Sequence, residues 1–373
     1  MTFQHLWVSF FGTAARRVTF EYLTVVSLVL FLLLATAWTV DLAKNFQFLR
    51  NDALEQDISI FRLFFPYMTY RAADILVRLF PVGCYFGIFI AEILRRGRLE
   101  TVVLSSVGVS PLRLVAPIVI FGLVAGAFLY KLEESWRPAA IWAQVDMGHG
   151  EYSRRFASHW MHEPSWFLYG DVAVKGQVYR GDPPAMRDVQ IFFGLQQDKL
   201  DKVYAAETMT AGDTPKEWHL SNVTIWDSQQ TEAMAESIPN LTVELALIRE
   251  ELVFYGVPGF YLPNSTLSAL TKAHIGSRTQ IGAEAATWRR YVVGLVPFVV
   301  GFLAVSLARL GYTGRTINVS RMLGFGAAGY ICVVSLKVFF AIGEIGGLSA
   351  PMATLGPLLI LLAIAGLLTE RAS

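Results

Sequence analysis

Cysteine is almost absent: two in 373 residues, Cys84 and Cys332, each inside an apolar run. Thiols so placed read as small buried hydrophobes, not as halves of a disulfide framework. Charge is scarce too. Asp, Glu, Lys and Arg make up 16% of the chain, against roughly a quarter in soluble domains. The signs nearly balance, at net +1, so there is no basic footprint for nucleic acid. Common chemical motifs are also missing. No Gly-Lys pair occurs, which excludes a Gly-x-x-x-x-Gly-Lys-Ser/Thr phosphate loop and with it a P-loop ATPase in this chain. His-Glu-x-x-His, Cys-x-x-Cys and Gly-x-Ser-x-Gly are absent as well. His159 and His162, three apart near Glu163, read as residues on the edge of a β domain and not as metal ligands. No catalytic residue, metal site or cofactor is assigned.

What the chain has in quantity is hydrophobic residues, 54%, with a mean hydropathy of +0.45. A membrane helix needs about 20 mostly apolar residues. Tyr22–Val40, Leu114–Tyr130, Tyr291–Ala308 and Ile345–Thr369 contain no Asp, Glu, Lys or Arg. Phe61–Ala91 holds Arg71, Asp74 and Arg78, and Met322–Gly343 holds Lys337. These give six transmembrane helices, three on each side of a polar middle. The first, preceded by Arg16 and Arg17, reads as an uncleaved anchor. With the N-terminus cytoplasmic, the inner segments hold Arg16, Arg17, Arg95, Arg96, Arg98, Arg113, Arg309, Arg315, Arg321 and Arg371. The short outer loops hold only Lys44, Arg50 and Arg62. That bias puts both termini in the cytoplasm and residues 131–280 outside.

The middle carries 32 of the chain's 61 charged residues and six of its nine tryptophans, as befits a folded aqueous domain. Short runs such as Trp166-Phe-Leu-Tyr, Val189-Gln-Ile-Phe-Phe, Val203-Tyr-Ala-Ala, Trp218-His-Leu, Val223-Thr-Ile-Trp and Leu241-Thr-Val-Glu-Leu alternate with Gly181-Asp-Pro-Pro, Gly212-Asp-Thr-Pro and Pro239-Asn. This predicts a β-sandwich or jelly-roll. Helical connectors are expected over Lys131–Tyr152 and Ser265–Ile281. The fold class is therefore an α-helical membrane protein with an all-β, jelly-roll-like domain between helices 3 and 4. Its segments are 1–130, 131–280 and 281–373.

After the second span comes Arg95-Arg-Gly-Arg-Leu-Glu-Thr-Val-Val-Leu-Ser-Ser-Val-Gly-Val-Ser-Pro. Residues 99–108 suit a short amphipathic helix. Glu100 lies in its first turn, Val103, Leu104 and Val107 share one face, and Gly108 ends it. Such a helix either lies on lipid headgroups or docks into a groove on a cytoplasmic partner.

The spacing Glu100-x-x-x-Leu104-x-x-x-Gly108-x-Ser110 after a basic linker resembles the coupling helix of the LptF/LptG (YjgP/YjgQ) permeases of the lipopolysaccharide exporter. Leu79-Phe-Pro81, Glu284 with Arg289-Arg290, and Gly346-Gly-Leu-Ser-Ala-Pro351 also fit that family. So does the whole-chain layout of three spans, an outer β domain and three spans. Ser105, Ser106, Gly356-Pro357 and the charges of the second span depart from its usual pattern. Asp41-Leu-Ala-Lys-Asn-Phe, Trp166-Phe-Leu-Tyr and Tyr204-Ala-Ala-Glu look more like LptG than LptF.

The resemblance implies a multi-pass permease of the bacterial inner membrane with its large domain in the periplasm. It implies a paralogous LptF-like permease partner and an LptB-like cytoplasmic ATPase dimer that binds ATP. Lipopolysaccharide would pass to LptC/LptA-like periplasmic β-jelly-roll proteins. Glu100, Val103, Leu104, Val107 and Gly108 would meet the ATPase. Lys44, Arg71, Arg78 and Lys337 are candidates for lipid headgroup phosphates, with internal pairing (Arg71–Asp74–Arg78, Lys337–Glu344) as the other reading. Phe167, Ile191, Phe193 and Ile225 line an acyl groove on the family's pattern, or fill a sandwich core. An alternative function is a permease or receptor for another lipid or lipoprotein, with the outer β domain as the ligand-binding module.

Overall fold

The computed structural model describes residues 12–100, 111–148, 150–156, 163–181, 183–196, 200–228, 236–272, 278–313 and 316–372. Its contacts divide the chain into two compact units. One comprises Met1–Gly150, Trp288–Gly343 and Gly347–Ser373; the other comprises Glu151–Thr287 and Glu344–Gly346.

The helical unit begins with α1 (Thr13–Glu55), 43 residues long, which at 1.5 Å per residue is about 65 Å. A tight turn, with Asp57 at φ 52° and the Ile58 amide donating to the Ala53 carbonyl at 3.0 Å, reverses the chain into α2 (Ile60–Gly97). Both helices exceed the roughly 30 Å of hydrocarbon they would need to cross. The expected outer loop after Val40 is thus the continuation of α1. Along the inner seam Val18, Tyr22, Val26 and Leu30 recur every fourth residue and are buried. Glycine permits the close approach: a Cβ on Gly87 would lie 2.6 Å from the Val26 Cα. Small residues at a membrane helix crossing let backbones meet in this way.

Helix α3 (Pro111–Lys131) runs through a π-helical turn, Leu132–Trp136, into α4 (Arg137–Asp146). In the second half of the chain α8 (Arg278–Val293) and α9 (Val296–Leu310) form a pair bent by 58°. Gly294 lies at the bend, and a Cβ on Gly126 of α3 would stand 2.1 Å from the Gly294 carbonyl oxygen. Helices α10 (Val319–Glu344) and α11 (Ala350–Ala372) complete this set. Among the described residues five helices are long and apolar enough to cross a membrane, and a sixth crossing is available where the bent pair makes one span. Cys84 and Cys332 are free thiols on α2 and α10.

The other unit begins with α5 (Gly150–Phe156) and continues into β1 (Ser165–Tyr169), β2 (Val172–Tyr179), β3 (Ala185–Phe193), β4 (Lys202–Ala211), β5 (Glu217–Asp227) and β6 (Glu236–Glu244). Helices α6 (Arg249–Val253) and α7 (Asn264–Lys272) follow. All six strands pair antiparallel in chain order, forming one meander. The all-β domain expected between helices is present, and its described strands follow one another in a single sheet.

A line of skipped pairs crosses the sheet with no change of register. Arg187 pairs with Thr208 and Thr208 with Ser221; the next pairs are Val189 with Ala206 and Ala206 with Val223. Asp188, Glu207 and Asn222 are thereby skipped, Asp188 and Asn222 each at φ 51°. Pro239 occupies the same line on β6, between the pairs Ser221–Asn240 and Val223–Ile238. The kink in the backbone at this line interrupts the two-residue alternation of side chains. Accordingly Met186 and Val189, Ala206 and Met209, and Leu220 and Val223 are all buried although three residues apart. One sheet thereby turns both of its halves toward a single core, the arrangement a sandwich reaches with two sheets. Trp218 is fully buried there and its indole donates to the Leu247 carbonyl at 2.9 Å.

Candidate functional site

Polar side chains buried among apolar helices are costly and mark function or partnership. Among the described residues of the helical unit, two charged groups of this kind stand at opposite ends of the α1–α2 pair. The first surrounds Asp74 on α2, which is 1% exposed. Arg137 Nε donates to its Oδ1 at 2.9 Å and Arg78 Nη2 lies 2.9 Å from its Oδ2. Arg71 Nη1 is 3.8 Å away, but Arg71 engages Asp41 of α1 more closely, at 2.8 Å. The Tyr67 hydroxyl donates to the other Asp41 oxygen, also at 2.8 Å. Arg137 turns its Nη1 to Glu133 at 3.0 and 3.1 Å, and Arg289 of α8 reaches the same carboxylate at 3.0 Å. The π-helical turn carries Glu133 and leads directly into Arg137, and both side chains are buried. The chain of contacts runs Asp41–Arg71–Asp74–Arg137–Glu133–Arg289 and ties α1, α2, α4 and α8 together.

At the margin of this group two cations meet. Arg78 leaves half of its side chain exposed. Exposed Lys337 of α10 donates to the Arg78 backbone carbonyl at 2.8 Å. Of the four expected headgroup contacts, then, the structure brings Arg78 and Lys337 together. It buries Arg71 against Asp41 and leaves Lys44 exposed farther along α1.

The second group is at the arginine-rich end. Glu92 and Arg95 of α2 and Tyr22 of α1 are 3%, 4% and 1% exposed. One Glu92 oxygen accepts from both the Tyr22 hydroxyl and Arg95 Nη1. Glu100 lies beside them, its Oε1 3.1 Å from Arg17 Nη2 and its Oε2 3.6 Å from Arg95 Nε. Arg98 pairs with Glu21 at 3.3 Å, and Arg96 donates to the Arg309 carbonyl of α9 at 2.8 Å. Val103, Leu104, Val107 and Gly108 lie outside the described residues, as do His159 and His162.

In the β unit Phe167 and Ile191 are buried in the core, and Phe193 and Ile225 sit half-buried at its margin. All four face the inside of the folded sheet. Tyr169 of β1 donates to Glu251 of α6 at 2.8 Å. Burial, reinforced by the Glu251 charge, raises the Tyr169 hydroxyl well above the usual tyrosine range.

Sequence reading missed Tyr22, Asp41, Glu92, Glu133, Arg137 and Arg289 as members of these groups. Two signals were available. Glu133 and Arg137 are i, i+4, and Glu92 and Arg95 are i, i+3; each pair carries opposite charges on one helix face.

Apolar helices long enough to span a bilayer, with an antiparallel β unit between them and ionic clusters buried at helix contacts, define a multi-pass membrane protein with an inserted β domain. A family model for the lipopolysaccharide export system permease LptF/LptG matches residues 16–371. The chain belongs to that family and is a permease subunit of lipopolysaccharide export that works with partner proteins. The family description covers both paralogues and does not separate LptG from LptF. No curated protein matches the chain.

Proposed function

We propose that this chain is the LptG-like half of an inner-membrane ABC exporter, paired with an LptF-like permease. A separate LptB-like ATPase dimer on the cytoplasmic side hydrolyses ATP. The lipopolysaccharide it extracts moves to the periplasmic β unit and then to LptC/LptA-like bridge proteins. The observation that carries this reading is the family match, which runs through both helical segments and the β unit. Glu100 begins the ATPase-docking helix, with Val103, Leu104 and Val107 as its apolar contacts and Gly108 as its end.

Arg78 and Lys337, brought side by side from α2 and α10, are the headgroup contacts, and Lys44 adds a cation farther along α1. Guanidinium and ammonium groups suit phosphate. Arg71 acts behind them by holding Asp41. Acyl chains leave along the inner face of the folded sheet, past Phe193 and Ile225, with Phe167 and Ile191 beneath.

The test is capture of partners by tagged protein in detergent, wild type against Glu100→Ala. An ATPase and an LptF-like chain accompany the wild type, and the variant loses the ATPase. Lys337→Ala and Arg78→Ala lower lipid-stimulated ATP hydrolysis in the same complex at normal protein level. A monodisperse wild-type preparation that captures no ATPase overturns the proposal.

A further inference from the structure

The three arginines at the end of α2 are not equivalent. Arg96 donates to a carbonyl of α9 and Arg98 pairs with Glu21 of α1. Arg95 is buried and touches three groups on three parts of the chain. Its Nη1 bonds Glu92 and lies 3.2 Å from the Tyr22 hydroxyl. Its guanidinium carbon stands 5.9 Å from the Tyr22 ring centre. Its Nε is buried, makes no hydrogen bond, and faces Glu100 Oε2 at 3.6 Å. A buried donor left without a hydrogen bond is costly, so a small inward movement of the Glu100 carboxylate is favoured. On its other side Glu100 is held by Arg17 of α1.

We propose that Arg95 is a positioning residue. Held by Glu92 and Tyr22, it fixes the Glu100 carboxylate against α1 and α2, so that a partner pushing or pulling at Glu100 moves both helices as one body. This rests on the reading that the ATPase docks at Glu100. A guanidinium fork serves because one rigid, permanently charged group must satisfy Glu92, Tyr22 and Glu100 at fixed angles. Lysine offers a single ammonium and cannot meet the three together.

The test uses the full permease complex with its ATPase in lipid nanodiscs, comparing wild type, Arg95→Gln, Arg95→Lys and Tyr22→Phe. Tyr22→Phe is the decisive variant. It keeps the Glu92–Arg95 ion pair and the ring beneath the guanidinium, and removes only the hydroxyl. Two quantities are read for each: the amount of ATPase captured, and the lipid-stimulated ATP turnover per captured ATPase. Capture stays within twofold of wild type in all three variants. Turnover per complex falls at least fivefold in Arg95→Gln and Tyr22→Phe, and Arg95→Lys recovers no more than half of it. Normal capture with turnover in Tyr22→Phe within twofold of wild type overturns the relay while leaving the docking reading intact. Absence of capture by the wild type overturns the docking reading itself.

Discussion

Asp74 is a residue whose loss the structure makes expensive. It is 1% exposed and is the nearest carboxylate to Arg78 and the partner of Arg137 Nε. Its group holds three carboxylates, Asp41, Asp74 and Glu133, against four guanidinium groups, Arg71, Arg78, Arg137 and Arg289. Asp74→Asn keeps the shape and removes one negative charge from among these cations. Breaking a buried pair by removing one partner costs about 3–5 kcal/mol. Arg137 keeps Glu133 and Arg71 keeps Asp41, which places the expected loss near the lower end, about 3 kcal/mol. Arg78→Gln removes a half-exposed partner of the same carboxylate, so it should cost under about 1 kcal/mol. The double variant Asp74→Asn/Arg137→Gln removes both charges and should recover about 1–3 kcal/mol relative to additivity. Equilibrium unfolding in mixed micelles of wild type, Asp74→Asn, Arg78→Gln, Arg137→Gln and the double variant reads all five proteins on one scale. If Asp74→Asn costs no more than Arg78→Gln, or if the double variant is additive, the cluster is not the tie that its geometry describes.

The Tyr169–Glu251 bond makes the β unit sensitive to alkali. Because the Tyr169 hydroxyl is raised in the folded state, its stabilising contribution is complete below the unfolded tyrosine value near 10 and declines as pH rises above it. Tyr169→Phe should cost about 2 kcal/mol at neutral pH and flatten that alkaline decline; an unchanged pH profile of thermal unfolding counts against the bond. At the α3–α8 crossing, Gly126→Val forces a side chain toward the Gly294 carbonyl, 2.1 Å from where its Cβ must lie. Membrane levels of the folded protein should collapse, whereas Gly324→Ala, with open space around its Cβ, should leave them unchanged. Equal levels for the two variants would remove the close crossing from the account.

Long apolar runs announced the membrane helices, and runs of aromatic and β-branched residues announced five of the six strands. The strand left out was β2, Val172–Tyr179, whose central Lys175-Gly176 breaks the apolar pattern at a bulge. Trp218-His-Leu and Val223-Thr-Ile-Trp looked like separate strands but are the two halves of β5. A parity shift at Asn222 interrupts the alternation that identifies a single strand. The same shift hid the meander, since nothing local says that a fold line on four neighbouring strands will align. Ionic partners were hardest to read. Arg71, Asp74 and Arg78 share a face by spacing alone, but Asp41 lies on the preceding helix and Arg137 beyond the next one. Such pairings depend on how helices pack, which no periodicity encodes.

The placement of the two buried polar groups carries its own argument about depth. Tyr22 and Asp41 belong to opposite groups on one helix, 19 residues apart, which is about 28 Å of α-helix. Glu92 and Asp74 stand in the same relation on α2, 18 residues apart, or about 27 Å. Both spacings match the roughly 30 Å thickness of a bilayer's hydrocarbon core. Between them the seam is Val26, Leu30, Phe80, Cys84, Tyr85 and Ile88, with no charged residue. Burial of charge costs most at the bilayer centre and least near its faces. The pair α1–α2 is therefore an apolar strut with an ionic clamp at each end. Lengthwise sliding of α1 on α2 would break Asp41–Arg71 at one end and Tyr22–Glu92 at the other, so the two helices can transmit movement together but not past each other.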